Sequence, residues 1–189
     1  MNDAADGPAP ADIQTLDSRE VYANRWLRLR EDRVRFRNGL NGAYSVVEKP
    51  DCAAIAPLDG DRLHLVEQYR YPIGARVWEL PQGAPPDRTA PIAADALARA
   101  ELREETGLIA GRIEPIGRLR YASSFCDQDC FIFLATDLTE GPPAREAEEQ
   151  DMIARAFPVA EVKRMILCGE IVDAMTVAVI GLLSLQGRL

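Results

Sequence analysis

The sequence predicts an α+β fold, a mixed sandwich rather than a doubly wound parallel sheet. Three observations predict it. Four short β-rich runs come before any helical pattern, a single long helical stretch sits mid-chain, and two further helical segments close the chain. With 189 residues, 47% of them apolar, the chain can bury one sizeable core without disulfide or metal staples.

Residues 1–14, rich in Asp, Ala, Pro and Gly, read as a flexible tail. From Val21 onward come the runs WLRLREDRVRFR, AYSVVEK, CAAIAPL and RLHLVEQYRY, the first two separated by Asn38-Gly39 and Asn41-Gly42, dipeptides that favour tight hairpins. They read as an antiparallel β meander over 15–70, with 71–189 as the main domain. After Val77-Trp78-Glu79-Leu80, the Pro/Gly-rich loop PQGAPPDRTAP leads into the helical stretch IAADALARAELREETG, which stops where Gly107 supplies a left-handed cap. Strands are predicted in RIEPIGRLRY and CFIFLATDL. The polar loop TEGPPAREAEEQD then precedes IARAFPV and two terminal helices. The apolar run Ile171–Leu185 contains Asp173 and is shorter than the roughly 20 residues that cross a bilayer, so it reads as a buried helix. Trp78 reads as a core residue rather than a base-stacking platform, and His64 as an ordinary strand residue.

Charge and side-chain inventory exclude several function classes. The net charge of −8 and pI near 4.8 oppose binding to nucleic acid or to an anionic membrane. Cys52, Cys126, Cys130 and Cys168 show no C-x-x-C spacing and His64 is the only histidine, so a zinc site is not expected. No basic segment followed by an apolar stretch opens the chain, which predicts a cytoplasmic protein with reduced thiols, the cysteines being small core residues.

The central helix carries an acidic stripe. At 100° per residue with Glu101 at zero, Glu105 falls at about 40° and Glu104 at about 300°. A charge run on a helix is ordinarily a solvated face. Here, however, Leu97, Ala94 and Ala98 share the acidic arc, whereas Asp95, Arg99 and Arg103 lie on the opposite side. The glutamates also occupy the last two turns, where the helix dipole and like-charge spacing disfavour them by tenths of a kcal/mol each. A bound cation reverses every one of these terms. Hard oxygen donors without Cys or His suit Mg²⁺ or Mn²⁺, whose remaining ligands are typically waters and substrate phosphates. A phosphate or pyrophosphate ester is therefore the expected substrate class.

Gly83 followed by Ala100-Glu-Leu-Arg-Glu-Glu-Thr-Gly-Leu108 resembles the Nudix box, G-x5-E-x7-R-E-U-x-E-E-x-G-U, U being a bulky aliphatic. At this composition E-x-x-E-E-x-G arises by chance in well under about one in fifty chains. The surrounding QYRYPIGARVWELPQG, YASSFCDQDCFIFLATDL, AREAEEQDM and GEIVDAMTVAVIGLLSL look like the ADP-ribose pyrophosphatase branch of that family, across nearly the whole chain. Three departures stand out. The loop after Gly83 is three residues longer than the pattern, so the box's first Glu falls on Thr89 or Ile92. The box arginine is Ala100. The branch's S-P-G-F-C/S-D-E stretch reads Ser123-Ser124-Phe125-Cys126-Asp127-Gln128. These bear on substrate identity more than on metal binding, because Glu101, Glu104 and Glu105 all survive.

The resemblance implies a Nudix-type α/β/α sandwich with an N-terminal antiparallel region that exchanges across a homodimer. It implies Mg²⁺-dependent hydrolysis of a nucleoside diphosphate linked to X, foremost ADP-ribose or an ADP-sugar, to AMP and a sugar phosphate. The implied metal ligands are Glu101, Glu105, Glu104 and the backbone of Gly83, with Mn²⁺ as the alternative ion. Glu148, or else Glu149, matches the general base; Arg70, Glu79 and Gln128 match substrate-binding positions. Read without the resemblance, Arg70 and Glu79 are equally a surface charge pair, and AREAEEQD a solvated loop. Two alternatives remain: a pyrophosphatase for GDP-mannose or another nucleotide sugar, and a catalytically weak nucleotide sensor.

Overall fold

A computed structural model of the chain describes residues 12–85, 92–142 and 151–189. The first three strands, β1 (Ile13–Ala23), β2 (Arg28–Phe36) and β3 (Asn41–Glu48), form an antiparallel sheet in that order. Asn38-Gly39 makes the β2–β3 turn: Gly39 sits at φ +84° and the Asn38 side chain accepts from the Leu40 N–H at 3.1 Å. Asn41-Gly42 instead lies within β3, where the Phe36 ring packs so closely that a Cβ on Gly42 would come within 2.6 Å of it. β1 begins inside the segment read as tail, because Ile13 pairs with Phe36 and the ladder continues to Ala23.

The second sheet holds β4 (Cys52–Asp59), β5 (Arg62–Arg70), β6 (Ala75–Glu79), β7 (Gln82–Gly83), β8 (Leu108–Arg120), β9 (Asp129–Glu140) and β10 (Ile153–Pro158). Its order is β10-β5-β4-β9-β8, with β6 beside β5 and β7 beside β4. The β4–β9 pair is parallel and the remaining pairs are antiparallel, so the sheet is mixed. The meander expected over 15–70 is thus divided between two sheets, and the division falls between Glu48 and Cys52. The reason is burial: Cys52–Ala56 is a continuous apolar run enclosed on both faces, the mark of a central strand rather than of a half-exposed meander.

One face of this sheet packs Cys52, Ala54, Leu63, Leu65, Ile132 and Leu134 against α2 (Val159–Leu167) and α3 (Ala174–Leu185). The other packs Ala53, Ile55, Phe133 and Ala135 against Leu97, Ala98 and Leu102 of α1 (Ala94–Thr106). These layers are the α/β/α sandwich. Gly107, at φ +76°, ends α1 with its N–H on the Arg103 carbonyl, and Asp173 caps α3 by accepting from the Thr176 N–H at 2.7 Å. Ile171–Leu185 is a helix only from Ala174, and among the described residues no helix is long and apolar enough to cross a membrane. Trp78 packs edge-on against Phe157 beside the core, and His64 is a half-buried β5 residue opposite Ala156. All four cysteines are free. Cys52 and Cys130 are core residues as expected, whereas Cys126 is half-buried in a turn and Cys168 is exposed at the α2 C-cap, beside Arg164 and Glu170.

Candidate active site

The site is built where the β6–β7 turn crosses the last turns of α1. Leu80 and Pro81 are buried; the Leu80 N–H donates to Thr176 Oγ1 at 2.9 Å and the Pro81 carbonyl accepts from the Ile55 N–H at 2.9 Å. These two bonds tie the turn to α3 and to the central strand. Gln82 and Gly83 then pair with Ala54 and Ala53, which brings their backbone against α1.

On that helix Glu101 is 9% exposed and Glu105 only 1%, Glu104 is half-buried, and Asp95, Arg99 and Arg103 are exposed. The acidic arc therefore faces protein, and the solvated-face reading fails for it. Glu105 Oε2 accepts from the Gln82 N–H at 3.1 Å. A Cβ added to Gly83 would collide with the Glu101 carboxylate, so the backbone lies close against that group and a side chain here would force the carboxylate to move. Among the described residues no three His, Cys, Asp or Glu side chains converge on one point. The fit to a hard divalent cation rests instead on two buried carboxylates and the close Gly83 backbone, all oxygen donors.

Beside these carboxylates opens a cavity of about 590 Å³. Lys49, Arg70, Glu79, Gln82, Tyr121, Gln128 and Asp173 supply polar lining, and Ile73, Val77, Phe125 and Val172 apolar walls. Glu79 is 1% exposed and faces Arg70 Nη2 at 2.8 Å, as an ion pair rather than a well-aligned hydrogen bond. Burial pushes its carboxyl above the usual range, although Arg70 pulls the other way; burial is the largest effect on the Arg70 guanidinium and lowers it, but Glu79 together with Glu105 and Tyr121 outweighs this and holds it above its usual range. Gln128 is buried and donates to the Pro50 carbonyl at 2.7 Å. Arg70, Glu79 and Gln128 thus share one cavity with Gly83. Glu148 and Glu149 lie outside the described residues, as does Thr89; Ile92, the other candidate for the first box position, is exposed.

Among the polar lining residues that the sequence did not single out, Gln82, Tyr121 and Asp173 form one network. The Tyr121 hydroxyl donates to Gln82 Oε1 at 2.6 Å, and Gln82 Nε2 donates to Glu79 Oε2 at 3.1 Å and Asp173 Oδ2 at 3.3 Å. Only Asp173 carried a local signal, a polar residue three positions before Thr176 at the start of an apolar helix.

The Nudix domain model matches residues 48–174, more than half of the chain, and takes in Arg70, Glu79, Gly83, Glu101, Glu105 and Gln128. The chain belongs to the Nudix hydrolase family. Residues 13–47 match a second model, the nucleoside diphosphate sugar hydrolase N-terminal domain, which coincides with the first sheet of this Nudix hydrolase. An ADP-ribose pyrophosphatase of Mycobacterium tuberculosis is 37% identical over 90% of this chain and 82% of that protein. An ADP-ribose pyrophosphatase of Bacillus subtilis and a methanol dehydrogenase activator of Bacillus methanolicus are each 25% identical, over 93% of this chain and 95% of theirs. A crystal structure of an ADP compounds hydrolase superposes with a TM-score of 0.82 at 20% identity, covering 97% of this chain and all of that one. That likeness establishes the fold of this Nudix hydrolase.

Proposed function

We propose that this Nudix hydrolase cleaves the pyrophosphate of a nucleoside diphosphate linked to a second group, with ADP-ribose or an ADP-sugar as substrate and AMP and a sugar phosphate as products. The observation that carries the reading is the pair of buried glutamates, Glu101 and Glu105, with the Gly83 backbone close against Glu101, beside a cavity that Arg70 lines. The 37% identical relative is an ADP-ribose pyrophosphatase, which supports the substrate class.

Nudix hydrolases need a divalent metal. Here Glu101 and Glu105 would hold it, with Glu104 and the Gly83 backbone as further ligands, and Mg²⁺ or Mn²⁺ is the ion. When bound, it neutralises pyrophosphate charge and makes water a stronger acid. The protein's own contribution is positional, as expected for phosphoryl transfer. Arg70, oriented by Glu79, binds the anionic substrate, and Gln128 lines the same cavity. Glu148, with Glu149 as the alternative, takes a proton from the attacking water; a phosphorus–oxygen bond forms as the bridging bond breaks, and the leaving phosphate carries away the bridging oxygen.

A homodimer formed through the N-terminal region, a cytoplasmic setting and the absence of nucleic-acid partners belong to the same reading, supported respectively by the exposed apolar side chains of the first sheet, four free thiols and the net charge of −8. The test is a nucleoside diphosphate panel run with Mg²⁺ and with EDTA, each reaction stopped by heat and its phosphomonoester products then hydrolysed by alkaline phosphatase with excess Mg²⁺ and Zn²⁺ restored. ADP-ribose is expected to release phosphate only with metal. Preference for GDP-mannose would replace the substrate assignment, and no release from any member would overturn the enzyme reading.

A further inference from the structure

Gln82 joins two halves of the site, one through its main chain and the other through its side chain. It is 8% exposed, and each polar atom of its side chain has a partner. Nε2 donates to Glu79 Oε2 at 3.1 Å and to Asp173 Oδ2 at 3.3 Å, while Oε1 accepts from the Tyr121 hydroxyl at 2.6 Å. Its backbone N–H donates to Glu105 Oε2 at 3.1 Å. The partners fix one orientation, since turning the amide over would set Oε1 against two carboxylates. They are themselves held: Asp173 is the α3 cap, bonded to the Thr176 N–H at 2.7 Å, and Tyr121 follows the end of β8 with its N–H on the Gln128 carbonyl.

We infer that Gln82 is a positioning residue for the hydrolysis, its side chain steadying Glu79 and through it Arg70, and its backbone N–H separately orienting Glu105. The inference rests on the reading of Arg70 as a substrate-binding residue. Its content lies in the separation. Any non-proline substitution keeps the N–H, so removing the amide disturbs the Arg70 side of the site and leaves the Glu105 side intact. Without the amide no donor stands between the Glu79 and Asp173 carboxylates, and like charges in a buried wall push apart. Arg70 then loses a fixed partner, and substrate binding weakens more than turnover.

The experiment compares the full chain with Gln82→Met, Tyr121→Phe and Arg70→Ala. Methionine keeps the length and volume of glutamine without its hydrogen bonds. Gln82→Met is expected to raise KM for ADP-ribose about ten-fold while kcat falls less than about three-fold, the loss that charged hydrogen bonds predict. Calorimetric titration of ADP-ribose in EDTA, where no turnover occurs, should show the same weakening in Kd. A merely structural role would lower the melting temperature or the active fraction and leave KM and Kd unchanged, which would overturn the inference. Should Gln82→Met fail to fold, Tyr121→Phe keeps the ring and removes only the hydroxyl; it is expected to raise KM about three-fold, and an unchanged KM overturns the inference equally. Arg70→Ala tells the two levels apart. If it raises KM while neither other variant does, the Gln82 inference fails and the site reading stands. If it leaves KM unchanged, the substrate-binding reading of Arg70 falls, and the inference with it.

Discussion

Glu105 sits where isolated-helix physics would not put it, in the last turn before Gly107, turned inward and 1% exposed. The Gln82 N–H accounts for part of its placement, and the Gly83 backbone, pressed on Glu101 one turn earlier, for the crowding around it. Glu105→Gln preserves size and takes away one charge. Turnover is expected to fall by about a hundred-fold or more, since a metal ligand contributes several kcal/mol to such chemistry. The melting temperature should hold or rise, because a like-charge neighbour has gone. Near-wild-type kcat at saturating Mg²⁺ would refute the ligand assignment. Glu79 supports a pH experiment. Burial raises its folded-state pKa above the unfolded value near 4.5, so the folded state holds that proton more tightly than the unfolded chain. Its contribution to stability is fully present below that value and is lost as pH rises through the folded pKa. Wild type and Glu79→Gln should therefore melt alike near pH 4, and the variant should gain on the wild type toward neutrality; a difference constant with pH would contradict this. Residue by residue, the sequence revealed those members of the site that sit in one local pattern, Glu101 and Glu105 on a wheel. Gln82, Tyr121 and Asp173 were illegible because their meaning lies in contacts across 39 and 91 positions.

At the scale of elements, α1 was the most legible part of the chain. Its period, its left-handed Gly107, the buried Leu97 and Ala98 with half-buried Ala94 on one side and the exposed Asp95, Arg99 and Arg103 on the other all appear in the structure, where Leu102 extends the buried face. Strand β1 was not legible, since a strand exposed at every position shows no alternation to detect. Strand β7 is two residues long, and only its pairing with β4 makes it a strand. The helix also decides what Ala100 means. From the family pattern alone, restoring the box arginine should raise turnover. In the family that arginine orients a metal-binding glutamate; here Glu105 receives the Gln82 N–H and the Gly83 backbone lies against Glu101, so we expect the backbone of β7 to serve in its place. Ala100→Arg should leave kcat within about two-fold and cost about 1 kcal/mol as a long side chain crowds a half-buried position. Steady-state kinetics read beside thermal melting decide it: a rise in kcat of about five-fold or more would mean that the backbone contacts do not replace the guanidinium.

Across the whole molecule the two sheets differ in how well they are covered. The seven-stranded sheet has helices on both faces, whereas the first sheet exposes Ile13, Leu16, Val21, Tyr22, Leu40 and Tyr44, with Leu40 64% accessible. A three-stranded unit so bare is marginal by itself, and its edge strands offer unpaired backbone. It is held to the body near one end of β3, where the Val47 N–H donates to the Phe125 carbonyl at 2.7 Å, Asp127 N–H to the Val47 carbonyl at 3.2 Å, and Lys49 N–H to Asp127 Oδ1 at 3.3 Å. Phe125, Val47 and Lys49 also line the substrate cavity. Whatever covers the first sheet therefore bears on the cavity through the same few hydrogen bonds. A second copy is the expected cover, so light scattering at micromolar concentration should give twice the chain mass. Specific activity should fall on dilution below the dissociation range, as β3 and the 122–127 turn loosen together. Val21→Glu, a charge on the exposed first strand, should shift the protein toward monomer and raise KM in parallel, since the cavity wall and the covered sheet share β3. A monomer of full activity would show that the sheet is stable uncovered and that the β3 link carries nothing to the site.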